Sequence, residues 1–198
     1  MQFSLIPLPE IETLVDDETG LIVYKPDAFD PAQVQAWFLQ LRDGVAWRSE
    51  RMWMYDRMVD VPRLVASYPL DGAAVPEPIR LMRPVVEEFC KVRFTSAGMN
   101  FYRDGRDSVA PHGDHVERGP EEAPVALVSL GATRRMTIRS KAKPRRILDR
   151  DLEPGSLLVM SYVSHFNYDH GIPKTKEPVG QRISVAFRQV PHEALQRK

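Results

Sequence analysis

The spacing of apolar positions changes period partway along the chain. Near the start, Asp30 precedes Pro31, and Val34, Trp37, Phe38 and Leu41 then recur on one helical face before Gly44. A capping carboxylate with proline at the first helical position opens a helix, and a glycine closes one. Ile79, Met82, Val86 and Phe89 share a face in the same way and predict a second helix from about Pro76, with Pro84 kinking it or delaying its start. Both apolar stripes are expected to pack on the outside of a sheet. From Arg93 onward the pattern becomes short strands, punctuated at Arg103-Asp104-Gly105-Arg106, Arg118-Gly119-Pro120, Glu153-Pro154-Gly155 and the segment 174–180. Many short strands with Gly and Pro between them indicate a sandwich or jelly roll. The expected class is therefore α+β, a double-stranded β-helix (jelly-roll) core with N-terminal buttressing helices.

With 198 residues and 43% hydrophobic content, the chain is expected to form one domain with a full core. Residues of about 1–92 would carry the helices and an aromatic, basic segment, and about 93–190 the core. A single cysteine, Cys90, cannot form an internal disulfide, which suits a reducing cytoplasm. No stretch reads as a signal peptide or a membrane span, and a monomer is expected. Formal net charge is zero, which argues against DNA binding by bulk electrostatics. Cations are nonetheless concentrated between Arg134 and Arg150, where Arg135, Lys141 and Lys143 stand among eight basic residues and one Asp. Such a run is either a solvated hairpin or a local phosphate-facing patch.

The candidate chemistry lies in the second half. His112 and Asp114 stand two apart, a spacing that puts both on one face of a strand, and His170 follows downstream. Two histidines and a carboxylate form the facial triad of non-haem Fe(II) oxygenases. In the run 182–188, Ile183, Val185 and Phe187 make one apolar face while Arg182, Ser184, Ala186 and Arg188 share the other. Should that second face line a barrel interior, its guanidinium groups require anionic partners, which a dicarboxylate supplies; the plain alternative is an edge strand with solvated arginines.

NFYRDG, PHGDH, SLGATRRMTIRSK, PGSLLVM, DHGIP and RISVAFR occur in order between about Gly98 and Val190. With these motifs the chain resembles the AlkB family of 2-oxoglutarate and Fe(II)-dependent dioxygenases, nearest to the branch that demethylates nucleic acid bases. The resemblance implies that His112, Asp114 and His170 hold Fe(II). It further implies that Arg182 holds the distal carboxylate of 2-oxoglutarate, that Arg188 lies near its metal-chelating end, and that Asn100 and Tyr102 hydrogen-bond its carboxylates. The implied reaction consumes O2 and 2-oxoglutarate, releases succinate and carbon dioxide, and hydroxylates an N-methyl group that leaves as formaldehyde. The segment Trp47–Arg57, with Trp53 and Tyr55, and then Val61-Pro62-Arg63 and Tyr68, looks like the family's nucleotide-recognition lid; packing of Trp47 and Trp53 in the core is the alternative. DNA-demethylating relatives often read HxDDE, whereas this chain has His115 after the ligand Asp, with Glu117 displaced by one position. The expected partner is alkylated DNA or RNA. A protein or small-molecule hydroxylase using the same iron centre, or a β-barrel binding module without catalysis, are the other readings.

Overall fold

The computed structural model describes residues 11–54, 56–114 and 123–190. Along them run β1 (Glu12–Asp17), β2 (Gly20–Lys25), α1 (Pro31–Gly44), β3 (Arg48–Met54), β4 (Arg57–Pro69), α2 (Glu77–Cys90), β5 (Ser96–Tyr102) and β6 (Val109–His112). There follow β7 (Val125–Gly131), β8 (Arg134–Ser140), β9 (Ile147–Leu152), β10 (Leu157–Met160), α3 (Tyr162–Asn167), β11 (Tyr168–Ile172) and β12 (Arg182–Arg188). Eight strands form a major sheet in the order β1-β2-β10-β7-β12-β5-β4-β3, and four form a minor sheet, β6-β11-β8-β9. Neighbouring strands pair antiparallel throughout. No helix among the described residues is long and apolar enough to cross a membrane.

Strand β12 divides the molecule into a hydrocarbon side and a polar side. It runs between β5 and β7, with Ser184 opposite Asn100 on one flank and Ser129 on the other. Ile183, Val185 and Phe187 join Ala97, Met99 and Phe101 of β5 and Ala126, Val128 and Leu130 of β7 in one buried cluster. Val34, Trp37, Phe38 and Leu41 of α1 and Ile79, Met82 and Val86 of α2 complete that cluster. Asp30 caps α1, its side chain accepting from the amides of Ala32 and Gln33. On its opposite face the major sheet packs Ile22, Tyr24, Leu158 and Met160 against Ile138, Leu152 and Tyr168 of the minor-sheet side, and a cavity lined by Met136, His170 and Ile172 opens beside that contact.

Three features differ from the sequence expectation. Strands begin well before Arg93: β1 and β2 extend one edge of the major sheet, and β3 and β4 form the other. Strand β4 pairs with β5 only from Leu64 to Pro69; in its first half its strand partner is β3, and the Pro62 carbonyl accepts from the Ser108 amide. Helix α2 begins at Glu77 and continues through Pro84, so the proline does not delay its start. The hydrogen bond that this proline cannot donate belongs to the turn carrying Arg80, and both residues are exposed, where water can take the freed carbonyl. Gly44 is the last residue of α1 rather than a left-handed cap, and Val45 follows in extended conformation. The turn expected at Glu153-Pro154-Gly155 is present, with Gly155 at φ 82°, a conformation glycine adopts without steric cost.

Because Ile183 is fully buried in the cluster that joins both helices to the sheet, Ile183→Ala should lower the unfolding free energy by about 2–5 kcal/mol. Urea titration checks this: the midpoint should fall with little change in slope. A loss under about 0.5 kcal/mol, the range of surface substitutions, would contradict the placement of β12 at the centre.

Candidate active site

His112 ends β6 and stands directly opposite His170 of β11, the two rings 4.6 Å apart between centroids. Asp114 lies two residues past the end of β6, and ligand atoms of His112, Asp114 and His170 fall within 4.8 Å of one another. The three expected ligands thus converge, but by a different route from strand alternation: Asp114 comes from the loop after β6, and His170 from the adjacent strand of the same sheet. The approach of that loop depends on Gly113, since a Cβ there would stand 2.7 Å from the His165 carbonyl oxygen. No such Cβ contact is sterically tolerable.

Arg188 fixes the carboxylate. Its Nη2 and Nε both donate to Asp114 Oδ1, at 2.6 and 3.0 Å. Asp114 Oδ2 has no hydrogen-bond partner and sits 3.5 Å from His170 Nε2 and 3.6 Å from Nδ1 of His165. Burial alone would raise the Asp114 carboxyl, but Arg188, His170 and His165 overcome it and hold the group ionised well below the usual carboxylate range. Burial pushes the His170 imidazole down to about 3, offset only in part by Asp114, so near neutral pH it keeps a lone pair. His112 Nδ1 faces the Ala110 carbonyl at 3.0 Å. Donation there leaves Nε2 as the lone-pair nitrogen, the arrangement that orients a metal-binding histidine. His112 is exposed and stands toward solvent, whereas His170 is buried.

Arg182 and Arg188 both line the same cavity as the triad. Arg182 is fully buried, and Nη2 donates to Ser129 Oγ at 2.9 Å, with the Tyr102 side chain also beside the guanidinium. Nε and Nη1 have no hydrogen-bond partner, and no carboxylate among the described residues pairs with this guanidinium. Its carbon stands 5.2 Å from the centroid of the Tyr102 ring, which Arg134 approaches at 5.6 Å. Asn100 also faces the cavity, where its Oδ1 accepts from Arg63 Nε at 2.6 Å. The sequence reading gave Arg63 no role of its own in the cavity; its place two residues before Val65, on the face that β4 shares with the cavity, is the signal that was available.

Much of the basic run between Arg134 and Arg150 is paired or buried, while Lys143 and Arg145 stand exposed. Arg134 is buried and donates to the carbonyls of Asp104, Asp107 and Pro173, tying two loops together. Arg135 faces away from the cavity and pairs with Asp151 at 2.8 Å; Arg146 pairs with Asp17 and Arg150 with Glu12. Lys141 Nζ donates to the His165 carbonyl at 3.0 Å and stands 3.4 Å from Asp169 Oδ1. Lys143 is exposed after β8. Trp47 packs in the core, 5.2 Å from the Phe101 ring, with its indole N–H on the Arg42 carbonyl. Tyr68 also packs against that core. The backbone of Trp53 is in β3 opposite Met58, but its side chain lies outside the described residues, as do Tyr55, His115, Glu117 and the turn at Arg118-Gly119-Pro120.

Residues 21–188 match the family model of the 2OG-Fe(II) oxygenase superfamily, and the chain belongs to that superfamily. It is similar to the DNA oxidative demethylase ALKBH2 of Mus musculus, 26% identical over 184 residues that cover 82% of this chain and 77% of that protein. It is also similar to the alpha-ketoglutarate-dependent dioxygenase alkB homolog 3 of Mus musculus, 30% identical over 174 residues, covering 78% of this chain but 61% of the relative. Among solved structures, OsALKBH1 superposes with a TM-score of 0.63 at 16% identity, covering 90% of this chain and 100% of that one. A 2OG-Fe(II) oxygenase family oxidoreductase from Burkholderia pseudomallei gives 0.57 at 15% identity, with 88% and 87% covered. These likenesses bear out the AlkB-family resemblance, and the protein is an Fe(II)/2-oxoglutarate-dependent dioxygenase. Its cavity fits those groups on its own terms, since a buried guanidinium with two unpaired donors awaits an anion, and a buried carboxylate oxygen beside a neutral imidazole awaits a cation.

An unpaired buried guanidinium costs stability when no anion is present, and a hydrophobe of similar length relieves that cost. Arg182→Met should therefore hold or raise the melting temperature of the cosubstrate-free protein, by up to about 4 kcal/mol of stability, while abolishing the upward shift that 2-oxoglutarate gives the wild type. Differential scanning calorimetry with and without 2-oxoglutarate reads both effects. A variant that melts far below wild type yet keeps the full cosubstrate shift would place the carboxylate elsewhere.

Proposed function

We propose that this protein is an oxidative demethylase of N-alkylated bases in DNA or RNA, with His112, Asp114 and His170 as the Fe(II) ligands. The observation that carries the reading is the combination of the His112, Asp114 and His170 cluster and the unpaired donors of Arg182 in one cavity, in a chain similar to proteins named as DNA oxidative demethylase and alkB homolog 3. When bound, Fe(II), 2-oxoglutarate and O2 supply the oxidation: the 2-oxo acid loses carbon dioxide to become succinate, and one oxygen atom goes to the N-methyl carbon. The hydroxymethyl group so formed on the substrate breaks its C–N bond, leaving as formaldehyde, and the base nitrogen regains a proton.

The protein's own residues place and protect these groups. Arg182 receives the distal carboxylate of 2-oxoglutarate through its free Nε and Nη1, and the planar fork sets the carboxylate's orientation. Asn100 and Tyr102, one turn of the pleat apart on β5, support the same cosubstrate. Arg188 contributes at the chelating end by occupying Asp114 Oδ1, so that Oδ2 remains for the metal. Apolar walls from Val125, Leu127, Met136, Leu158, Met160 and Ile172 keep water out and strengthen each charged contact.

Substrate contact belongs, in this reading, to the sequence segment Trp47–Arg57 with Trp53 and Tyr55 and to exposed Lys143, with Arg135 and Lys141 contributing beyond their existing partners. A flipped base requires a stacking surface, and phosphates require nearby cations. The enzyme would act as a monomer in a reducing cytoplasm; Cys90 suits this, because burial pushes its thiol up to about 12 and away from reactive thiolate. A second reading, a protein or small-molecule hydroxylase, draws support from the zero net charge and the pairing of Arg135, Arg146 and Arg150 with acids.

The two readings are separated by measuring formaldehyde and succinate release over a panel of methylated DNA and RNA oligonucleotides. Wild type should release both in equal amounts from at least one oligonucleotide, and folded His170→Ala should release neither. Lys143→Glu should weaken oligonucleotide binding several-fold and flatten its salt dependence, since each lost phosphate contact lowers the slope by about one. Absence of product from every oligonucleotide, with brisk uncoupled 2-oxoglutarate turnover, would move the assignment to the hydroxylase reading.

A further inference from the structure

Helix α3 brings a fourth histidine to the cavity that the triad does not use. Its first turn is set by Ser161, whose side chain accepts from the Ser164 amide while the Ser164 hydroxyl donates to the Ser161 carbonyl at 2.6 Å. One residue on, the His165 side chain is completely buried, and neither Nδ1 nor Nε2 makes a well-formed hydrogen bond, although the Met160 backbone carbonyl lies close to the ring. Unpaired buried ring nitrogens are costly and call for a partner that the resting arrangement brings near without engaging.

Two acceptors face the His165 ring. Nδ1 stands 3.6 Å from Asp114 Oδ2, the carboxylate oxygen that Arg188 leaves free. The other acceptor facing the imidazole is the Met160 backbone carbonyl. A neutral ring has one N–H to give, and a charged acceptor wins over a neutral one because charge-assisted bonds are roughly twice as strong. The backbone of His165 is pressed onto the same loop from a second side. Its carbonyl lies against Gly113, where a Cβ would stand at 2.7 Å, and accepts from Lys141 Nζ at 3.0 Å. Both the ring and the carbonyl of one residue thus bear on the Gly113–Asp114 segment. His165 is also not itself part of the set of ligand atoms that gather within 4.8 Å.

We propose that His165 is a positioning residue for the metal site: its imidazole N–H closes onto Asp114 Oδ2 and, with Arg188 on Oδ1, locks the carboxylate plane in the orientation that presents it to the cation. The inference rests on the assignment of His112, Asp114 and His170 as ligands. Outer partners of ligand carboxylates typically contribute 10–100-fold in metal affinity.

The test is Co(II) binding to the full-length chain in the presence of 2-oxoglutarate, followed by the visible absorption of the bound ion, for wild type, His165→Gln and His165→Leu. Glutamine keeps an N–H that can reach Oδ2, whereas leucine keeps apolar bulk and removes the donor. The positioning role predicts Gln within about threefold of wild type and Leu 10–100-fold weaker, with the band shape unchanged in Gln. A role in packing alone reverses that order, with Leu binding as well as or better than Gln, and overturns the proposal. So does a Co(II) band altered in His165→Gln, which would make His165 a direct ligand. If wild type itself fails to bind Co(II), the ligand assignment falls and this inference with it. Should both variants fail to fold by circular dichroism, the imidazole proton of His165 is observed by NMR in Zn(II)-loaded wild type. A slowly exchanging N–H coupled to the carboxylate supports the proposal, and a ring whose proton is instead held by Met160 contradicts it.

Discussion

Strand β12 must keep two guanidinium groups on one face and three large hydrocarbons on the other, and the rest of the molecule is arranged around that demand. Ile183, Val185 and Phe187 anchor the core beneath α1 and α2, while Arg182, Ser184, Ala186 and Arg188 line the cavity. A slip of one residue in the pairing with β5 and β7 would exchange these faces, driving two cations into hydrocarbon and Phe187 into the cavity. Register is therefore fixed by a difference of many kilocalories rather than by any single contact. The same register places Asn100 and Tyr102 of β5 and Ser129 of β7 beside the arginines, so that one pairing decision assembles most of the cosubstrate end.

The cavity built this way is electrostatically incomplete, and the two deficits are of opposite sign. Arg182 is a buried cation without an acidic partner, and Asp114 is a buried anion whose second oxygen is unpaired. Oxygenases of this superfamily bind an anion and a cation, and here each deficit matches one of them. Binding then exchanges two desolvation penalties for two charge-assisted contacts, an exchange that ties cosubstrate and metal affinity to the fold itself. His165 adds to the anionic end, because its ring and carbonyl both constrain the loop that carries Asp114.

How legible all this was in the sequence depends on whether the signal was local. The faces of 182–188, the capped start of α1 and the turn at Gly155 follow from alternation, a capping carboxylate and a glycine, and each is present in the structure. The first four strands were not read, because β1 is rich in acids and Arg48–Met54 lacks alternation; each forms a hairpin with its neighbour, and β2 and β4 join those hairpins to β10 and β5 of the sheet. Ahead of His170, Ser161 starts a short helix that the alternating pattern does not announce, and with it His165 turns inward. The Ser161 cap was the available signal. The basic run could not be judged locally, since its acidic partners Glu12, Asp17 and Asp151 arrive from other strands. Similarly, His112 and Asp114 converge through the loop after β6, held by Gly113 against α3, rather than through strand geometry.

The account's central claim is that one cavity holds a cation at Asp114 and a dicarboxylate at Arg182. Anomalous diffraction from crystals grown with Mn(II) and 2-oxoglutarate tests it directly. One manganese peak should appear at about 2.1 Å from His112 Nε2, Asp114 Oδ2 and His170 Nε2, as hard-metal coordination by nitrogen and oxygen requires. The far carboxylate of 2-oxoglutarate should take both free donors of Arg182. Manganese bound elsewhere, or 2-oxoglutarate lying away from Arg182 with its donors still unpaired, would contradict the account.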